Sequence, residues 1–457
     1  MSAYQKLQNK SHNIECFSKK DEVVKIVKYP SKKAEQKIES IINRGVEFNP
    51  GDVRDVTAMI DDVRKNGDRA VVKYTKKFDA PEMTRGLMTV SEKEIKAASK
   101  RVGRPFISAL NRAARNIEAF HKKQVGRSWI STEREGVFLG QILNPVEAAG
   151  IYVPGATGGK TPLVSSVLMG AIPAKIAGVE HISMATPPAG DNSINPHLIV
   201  AAKKAGVDRI YKAGSAWAIA ALTYGTETIR KVDVIAGPGN IYVTIAKKLL
   251  SGTVGIDMVA GPSEILVIAD KHAKPDFIAA DLLSQAEHDP MASALLLTDS
   301  EAIAEGVQKE IAAQLHRLDR KDIAEQSLAR YGLIAVVPDI QRAFDVANRV
   351  APEHLELMID NPFEYINMIR NAGAVFMGDY TPEPVGDYMA GPNHVLPTGG
   401  TARFSSALSV DHFMKKTSLI HYSKRMFRKE APDIMRLAEI EGLGAHAESV
   451  NIRIKKK

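Results

Sequence analysis

The spacing of apolar residues divides the chain into a helical first part and a mixed second part. Apolar residues recur at three- and four-residue spacing in KAEQKIESIINRG, near residue 33, and in the stretch that begins at Pro50. This spacing predicts amphipathic helices. From about residue 150, short β-branched runs alternate with alanine-rich helical stretches. Such alternation is typical of parallel, doubly wound sheets.

Seven short apolar segments are predicted to be strands. They are HISMATP near 181, DRIYKAG near 208, VDVIAG near 232, EILVIAD near 264, ALLLTDS near 294, LIAVVPD near 333 and AGAVFMGDY near 372. Seven strands over this length suggest two sheets. We therefore expect an α/β fold with two doubly wound, Rossmann-like parallel-sheet domains, a small helical N-terminal extension and a C-terminal extension.

Three turns share the letters AGP: AGPGN at 236–240, AGPSE at 260–264 and AGPNH at 390–394. Ligands of open α/β sheets bind at the carboxyl ends of strands, so we expect these turns to follow strands and to lie beside a ligand. The first turn is not a complete dinucleotide fingerprint, because Tyr242 stands at the third glycine position. The turns are spaced too irregularly to form a repeat.

The stretch VPGATGGKTP, at 153–162, ends like a phosphate-binding P-loop. The P-loop pattern requires a further glycine at a fixed distance before Gly-Lys-Thr, and that position is Pro154. Pro162 would also disturb the helix that follows a P-loop. The simpler interpretation is a surface loop between a strand and a helix.

Length and composition limit the possible classes of protein. The 457 residues are too many for one compact core and suffice for two large domains. Hydrophobic residues at 44% and charged residues at 25% are usual for a soluble globular protein. The net charge of +8 favours mild attraction for anionic ligands such as dinucleotides. No zinc finger, aromatic RNA-binding signature or basic helix indicates a nucleic-acid partner.

The chain has the features expected of a cytoplasmic protein. Cys16 is its only cysteine, so a disulfide within the chain cannot form. The first residues lack the apolar segment of a secretory signal. No apolar run reaches the roughly 18 residues that a membrane-spanning helix needs, and we expect no membrane partner.

The motif LLSQAEHDP contains the first candidates for metal binding or catalysis. Gln285 and His288 are three positions apart and are predicted to share a helix face. Imidazole is a good zinc ligand, whereas an amide oxygen is an uncommon one. The alternative is a polar helix end stopped by Pro290, and spacing alone favours that alternative.

RVAPEHLEL places Glu353 and His354 at a helix-to-strand junction, since Pro352 disfavours continuation of the helix. A carboxylate beside an imidazole is a plausible acid/base pair, because histidine titrates near neutral pH. A solvated junction fits the same letters equally well.

Two later segments place polar residues among glycines and prolines. PEPVGDYMAGPNHVLPTGG contains Asp387, Asn393 and His394, a composition that core packing does not explain. IEGLGAHAE interrupts a helix, so Glu441 and His446 are expected on irregular backbone, free to face a ligand. The alternative is a helix cap followed by a strand, VNIRI. Spacing does not tell whether these groups meet in space.

Several long motifs in order give the sequence a resemblance to a known family. They are GIYVPG, SSVLMGAIPAKIAGV, AIAALTYGTE, GPGNIYVTIAKK, GIDMVAGPSEILVIAD, DLLSQAEHD, APEHLEL and VGDYMAGPNHVLPT. From about residue 50 to its end, the chain resembles L-histidinol dehydrogenases, which catalyse the last two steps of histidine biosynthesis.

The resemblance implies a zinc enzyme, with one zinc per subunit, that oxidises L-histidinol to L-histidine through an aldehyde with reduction of two NAD. By the same resemblance, Glu353 and His354 are the acid/base pair. The implied zinc ligands are Gln285, His288, Asp387 and His446. The implied substrate contacts are these four ligands together with Ser263, His354, Glu441 and His394. The implied NAD contacts are Tyr152 and Asn240.

The resemblance also implies a homodimer with shared active sites, in which the C-terminal segment crosses to the partner. It implies that Glu441 and His446 serve the partner's site. The corresponding division of the chain is an N-terminal extension at 1–49, a discontinuous first α/β domain at 50–151 and 264–408, an NAD-binding α/β domain at 152–263, and a dimer-crossing segment at 409–457.

Two departures from the family concern the NAD site. Relatives have a shorter turn after VPG, so the apparent P-loop looks like a lengthened loop beside the cofactor, at 155–163. Relatives also have glutamine in a GAQAIAAL stretch, where this chain has GSAWAIAAL. Trp217 therefore replaces an amide that contacts NAD; an indole can stack on a base but cannot supply the amide's paired donor and acceptor.

The single thiol constrains the aldehyde step. Cys16 is far along the sequence from every motif, so the second oxidation is expected to pass through a hydrated aldehyde rather than a thiohemiacetal. Glu353 fits the base that activates water, and His354 fits removal of the alcohol proton. Zinc would bind the imidazole and amine of the substrate and fix the carbinol carbon for hydride transfer.

Three rival functions stay open at this point. One is a paralogous zinc/NAD dehydrogenase that oxidises another primary alcohol, such as a sulfonated diol, to its acid. The second is a zinc hydrolase that uses Glu353 to activate water without NAD. The third is a binding protein without catalytic activity, which the acid/base pair disfavours.

Overall fold

The computed structural model describes residues 23–44, 48–155 and 161–455. Two features singled out in the sequence lie outside the described residues: Cys16 and most of the apparent P-loop, at 156–160.

The longer helices are α1 (Lys32–Ile42), α2 (Pro50–Asn66), α3 (Asp68–Phe78), α4 (Glu92–Arg101), α5 (Arg104–His121), α6 (Val164–Ala177), α7 (Pro196–Ala205), α8 (Ser215–Tyr224), α9 (Ile241–Leu250), α10 (Pro275–Ala286), α11 (Glu301–Leu315), α12 (Lys321–Tyr331), α13 (Ile340–Val350), α14 (Lys424–Ile440) and α15 (Gly444–Ile454). The strands are β1 (Ile26–Lys28), β2 (Trp129–Ser131), β3 (Val137–Pro145), β4 (Ala148–Tyr152), β5 (Thr161–Pro162), β6 (His181–Thr186), β7 (Arg209–Lys212), β8 (Val234–Ala236), β9 (Gly255–Ile256), β10 (Glu264–Ala269), β11 (Ser293–Thr298), β12 (Gly332–Val336), β13 (His354–Met358), β14 (Ala374–Met377) and β15 (Met414–Tyr422). None of the described helices is long and apolar enough to cross a membrane.

The chain forms two compact units. The first contains the described residues up to Gln124 and Glu147–Phe413, and it holds both parallel sheets. The second contains Val125–Val146 and the described residues from Met414 onward.

The larger sheet of the first unit has six parallel strands in the order β1-β12-β11-β10-β13-β14. Every residue of β10 and β11 is buried, which explains why EILVIA and SALLLT are almost continuously apolar rather than alternating. One face packs against α10, α11 and α12 through residues such as Leu282 and Leu328. The other packs against α1 and α13 through residues such as Ile38 and Phe344. The sheet is therefore doubly wound.

The second parallel sheet has five strands in the order β7-β6-β4-β8-β9. Helix α8 is buried along nearly its whole length, as its sequence SAWAIAALTY allows, and packs into a core that also includes α2 and α3. The predicted α/β class with two parallel, doubly wound sheets is confirmed.

All seven predicted strand segments contain a strand of the structure. The segment VNIRI is not a strand but the end of helix α15, because a new helix starts directly at Gly444. The prediction that the AGP turns follow strands holds for 236–240, which comes directly after β8. It is wrong for 260–264, which leads into the amino end of β10, and for 390–394, which follows a helical turn at Gly386–Ala390.

The second unit is built on a long antiparallel pair. Strand β15 pairs with β3 over their full lengths, and β3 also pairs with β2. Helices α14 and α15 follow β15, and Arg134 pairs with Glu430 of α14 and donates to the Tyr422 hydroxyl. Several apolar side chains are exposed on this chain, including Trp129, Ile420 and Ile440.

The sheets include segments from across the predicted domain boundaries. Strand β1, within 1–49, pairs with β12, and β4, which crosses the predicted boundary between 151 and 152, is the middle strand of the five-stranded sheet. Strand β3, also within 50–151, pairs with β15 in the second unit. The four-part domain division stays a prediction.

Candidate active site

The candidate acid/base pair lies at the amino edge of the six-stranded sheet. Helix α13 ends where Ala351 adopts a left-handed conformation (φ 53°), and Pro352 follows. Glu353 precedes β13 and His354 is its first residue. His354 lies opposite Ile265 of the neighbouring strand β10. The amino ends of two adjacent strands therefore carry Glu353, His354, Ser263 and Glu264 side by side.

Hydrogen bonds fix the tautomer of His354. Its Nδ1 lies 3.0 Å from the Glu264 carbonyl oxygen and 2.9 Å from Gln285 Oε1. Both partners are acceptors, so Nδ1 carries the hydrogen and Nε2 keeps its lone pair. Burial lowers the pKa of His354 to about 4, although Asp387 and the Glu264 carbonyl partly oppose that shift. The imidazole is thus a neutral acceptor at physiological pH.

Glu353 is buried beside His354. Burial raises its pKa well above the usual range, and the nearby Glu264 carboxylate raises it further. The Glu264 N–H donates to Glu353 Oε2 at 3.1 Å, and this bond and the Ser263 hydroxyl partly oppose the shift. Glu353 Oε1 lies 4.0 Å from His354 Nε2, beyond hydrogen-bonding range. Because the two groups do not hydrogen-bond each other, His354 Nε2 and the ionised form of Glu353 can each accept a proton at adjacent points.

Asp387 lies in the helical turn Gly386–Ala390. Its Oδ1 is 3.4 Å from His394 Nδ1. Burial raises the pKa of Asp387, but the hydrogen bond from His394 and the electrostatic interactions with His394, His354 and His288 outweigh burial and leave the pKa below its usual value. Asp387 is thus held as a carboxylate near three imidazoles.

Gln285 and His288 come from the end of the helix that follows β10. Helix α10 runs back across the sheet, so its C-terminus returns to the amino edge where β10 and β13 begin. Gln285 is fully buried in its last turn. His288 lies just beyond the helix end, where its N–H donates to the Gln285 carbonyl at 3.2 Å. The predicted shared helix face is therefore wrong in detail, because the helix stops at Ala286.

The donors around Gln285 suit a zinc ion in their chemistry. Its Oε1 has two lone pairs and His354 uses one, while its Nε2 is buried without a partner among the described residues. Asp387 supplies a carboxylate and His288 an imidazole, both ligand types for zinc. Over the described residues, no group of three or more His, Cys, Asp or Glu residues forms a metal site by itself. A zinc site must therefore also use the Gln285 amide or a ligand from elsewhere.

Glu441 and His446 lie in the second unit. Glu441 caps the end of α14, Gly442 follows with φ 73°, and α15 starts at Gly444. Both side chains are exposed on this chain. The expectation of irregular backbone is wrong for His446, which lies on α15, because the glycines separate two helices rather than end helical structure. Their place in a site stays a prediction.

The expected NAD contacts lie at the carboxyl edge of the five-stranded sheet. Tyr152 ends β4, and its hydroxyl accepts a hydrogen bond from Ser215 N at 2.9 Å, at the start of α8. Asn240 caps α9 by accepting from Val243 N at 3.2 Å. Strands β4 and β8 pair with each other in parallel, so Tyr152 and Asn240 lie at the same carboxyl edge of the sheet. Dinucleotides bind at this edge in folds of this type.

Trp217 is part of the core in this structure. Its indole lies between Tyr74 and Phe78, with ring centroids at 5.9 and 5.5 Å, and its Nε1 donates to Thr75 Oγ1 at 3.1 Å. Only 3% of the residue is exposed, so neither ring face is open to a nucleobase in this conformation. A contact of Trp217 with NAD stays a prediction.

Sequence reasoning missed three buried charged residues near the site: Arg44, Glu264 and Glu383. Burial raises the pKa of Glu383 to about 8, with added repulsion from Asp387 and Asp281. Glu264 and Glu383 lie within the motifs that contain Ser263 and Asp387. A charged residue in a segment that is otherwise expected to be buried is the signal that could have identified them. Arg44 lies near the end of the helical stretch KAEQKIESIINRG and outside every motif with candidate chemistry, so the sequence gives no sign of its contact with the site.

Comparisons with known proteins agree with one another. A family model described as Histidinol dehydrogenase matches residues 44–454. The histidinol dehydrogenase of Desulfotalea psychrophila is 53% identical over 418 residues, which cover 92% of this chain and 96% of that protein. That of Clostridium acetobutylicum is 50% identical over 95% of this chain and 100% of its own. The crystal structure of histidinol dehydrogenase from Elizabethkingia anophelis superposes with a TM-score of 0.88 at 41% identity, covering 95% of this chain and 98% of that one.

Proposed function

The chain belongs to the histidinol dehydrogenase family of oxidoreductases, and we propose that it oxidises L-histidinol to L-histidine through L-histidinal, with zinc and two NAD. The observation that carries the mechanism is the arrangement at the start of β13, where a neutral imidazole with a free Nε2 lies beside a buried carboxyl of raised pKa. These are two bases with different proton affinities at adjacent points, as two successive proton removals require.

In the first step, His354 accepts the alcohol proton. Its Nδ1–H is committed to Glu264 and Gln285, so only Nε2 can receive the proton. As the O–H bond breaks, hydride leaves the carbinol carbon for NAD, which gives the aldehyde and NADH. Asp387 interacts electrostatically with His354 and stabilises the imidazolium that forms.

In the second step, Glu353 activates water. The described residues contain no thiol for a covalent route, since the one cysteine of the chain, Cys16, lies outside them. Glu353 takes a proton from water as the water oxygen adds to the aldehyde carbon, which gives the hydrate as its monoanion. Loss of hydride from this monoanion to a second NAD yields the carboxylic acid. Overall, the two steps convert one alcohol, one water and two NAD into one carboxylate, two NADH and three protons.

The zinc site we propose uses Gln285, His288, Asp387 and His446 of the partner subunit. When bound, zinc would supply a Lewis acid that binds the substrate imidazole and amine. The chain's own contribution is to hold Asp387 ionised and Gln285 oriented, through the contacts with His394 and His354. Further substrate contacts are proposed for Ser263, His354, His394 and Glu441.

NAD is proposed to bind at the carboxyl edge of the five-stranded sheet, against Tyr152, Asn240 and the start of α8. A helix N-terminus with free N–H groups attracts phosphate, and α8 and α9 both start at this edge. We further propose a cytoplasmic homodimer, in keeping with the exposed apolar residues of the second unit.

The test is formation of NADH at 340 nm with L-histidinol, compared with a panel of other primary alcohols that includes a sulfonated diol. We expect L-histidinol to give the highest kcat/KM. A higher value with another alcohol would make the protein a paralogous dehydrogenase, and no NADH with any alcohol would favour a hydrolase.

A further inference from the structure

A buried ion pair lies directly behind the acid/base pair. Arg44, which follows α1, places its Nη2 2.9 Å from Glu264 Oε1, and the two side chains are only 2% and 3% exposed. The same nitrogen reaches the carbonyl oxygens of Pro262 and Ser263 at 3.4 and 3.5 Å. Arg44 therefore holds both the side chain of Glu264 and the backbone that leads into β10.

Glu264 hydrogen-bonds the side chains of both members of the acid/base pair through its own backbone. Its N–H donates to Glu353 Oε2 at 3.1 Å, and its carbonyl accepts from His354 Nδ1 at 3.0 Å. A shift of the first residue of β10 would disturb the orientation of Glu353 and the tautomer of His354 together.

Stability alone does not account for an ion pair at this position. Removing two charges from water is costly, and a well-packed apolar pair is often at least as stable. Arg44 also leaves its Nε and Nη1 buried without partners among the described residues. The Arg44–Glu264 ion pair is costly to bury and leaves two nitrogens of Arg44 unpaired within the described part of the chain, yet it contacts the acid/base site. These features indicate that its charges act on that site.

We propose that the Arg44–Glu264 ion pair is the positioning element of the acid/base site: Glu264 orients Glu353 and His354, and the two opposite charges set how tightly Glu353 holds its proton. This inference rests on the proposed function, because it assigns Arg44 and Glu264 to the residue that is proposed to activate water.

The charges that face Glu353 act in opposite directions. The Glu264 carboxylate repels the ionised form of Glu353, as does Glu383 when it is ionised, whereas the Arg44 guanidinium attracts it. Burial raises the pKa of Glu264 itself, and the charge of Arg44 opposes that shift, so Arg44 also favours the charged form of Glu264. His354, at 4.0 Å, is neutral near pH 7. Glu264 has the largest effect among the charged neighbours. Removing the Glu264 charge alone should therefore favour ionised Glu353 most, and removing both charges should favour it less.

The test compares wild type, Glu264→Gln and the double variant Arg44→Met/Glu264→Gln in the pH dependence of kcat for histidinal oxidation. We expect the acidic limb of Glu264→Gln to move to lower pH by about one unit. The acidic limb of the double variant should lie between that of Glu264→Gln and that of wild type. The difference between the two variants isolates the charge of Arg44. As a matched control, the exposed pair Arg342–Asp345 on α13 is removed as Arg342→Met/Asp345→Asn, which should leave the limb in place.

A purely structural role would lower kcat at every pH without moving the limb, and that result would overturn the proposal. So would identical limbs for the single and double variants. If Glu264→Gln does not fold by circular dichroism, the double variant, which has no unpaired charge, still tests the proposal, since its limb must lie below that of wild type.

An infrared titration of the Glu353 carboxyl, assigned by difference from Glu353→Gln, separates this inference from the proposed function. If wild type does not oxidise histidinal, the proposed function fails, but the same order of carboxyl titrations is still expected. An unchanged titration in the variants of an active enzyme would overturn only the ion-pair proposal.

Discussion

Replacing Glu353 by glutamine should separate the two oxidations. The amide has nearly the same shape, and its oxygen can still accept the hydrogen bond from Glu264 N that Oε2 accepts at 3.1 Å. His354 keeps its contacts with Glu264 and Gln285, which do not involve Glu353. The change therefore removes one base from an otherwise preserved site.

The expected loss falls on the aldehyde step. Losing one general base typically costs about a hundred- to ten-thousand-fold, or about 3 to 5 kcal/mol of transition-state stabilisation. We expect histidinal oxidation to fall by that factor. The first hydride transfer from histidinol should stay near the wild-type rate, because His354 takes that proton.

Stopped-flow absorbance at 340 nm with histidinol measures the first turnover, and steady-state assays with histidinal measure the second. Glu364→Gln, which neutralises an exposed carboxylate, is the control and should match wild type in both. If Glu353→Gln oxidises histidinal at the wild-type rate, another group activates water, and His354 is the next candidate.

Three further variants test the remaining assignments. Asp387→Asn or His288→Ala should release zinc and abolish turnover, since each removes one proposed ligand; full zinc by elemental analysis together with full activity would refute the ligand set. His446→Ala mixed with Glu353→Gln should regain activity in heterodimers, and no rescue after confirmed subunit exchange would argue against a shared site. His354→Asn should slow the alcohol step. The folded pKa of His354, about 4, lies below its unfolded value, so neutral His354 stabilises the fold above about pH 6.5 and loses that contribution as the pH falls toward 4; chemical denaturation at several pH values should show a smaller acid dependence in His354→Asn than in wild type.

Local pattern predicted the buried parallel strands well but missed the two longest strands, β3 and β15, whose residues are largely not buried. The buried runs at β10 and β11 were recognised because parallel strands covered on both faces are apolar throughout. Strand β4 was missed although it is the middle strand of its sheet, because AAGIY contains small residues and lacks β-branched enrichment. Its strand character comes from pairing with β6 and β8.

The site could be predicted only in part from the sequence. The motifs marked Glu353, His354 and Asp387, but not the edge of the sheet on which they meet. Tyr152 and Asn240 lie at the carboxyl edge of a sheet, where the rule for open α/β sheets predicts a ligand, whereas Glu353 and His354 lie at the amino edge of β13, which that rule does not cover. Residues with a supporting role, such as Arg44, act through contacts between distant segments, which no local pattern encodes.

A four-electron oxidation at one site fixes the stoichiometry of the reaction. With limiting L-histidinol and excess NAD, we expect two NADH and one L-histidine for each histidinol consumed, without accumulation of free histidinal. One NADH per histidinol, with histidinal as the final product, would show that the site does not carry out both oxidations.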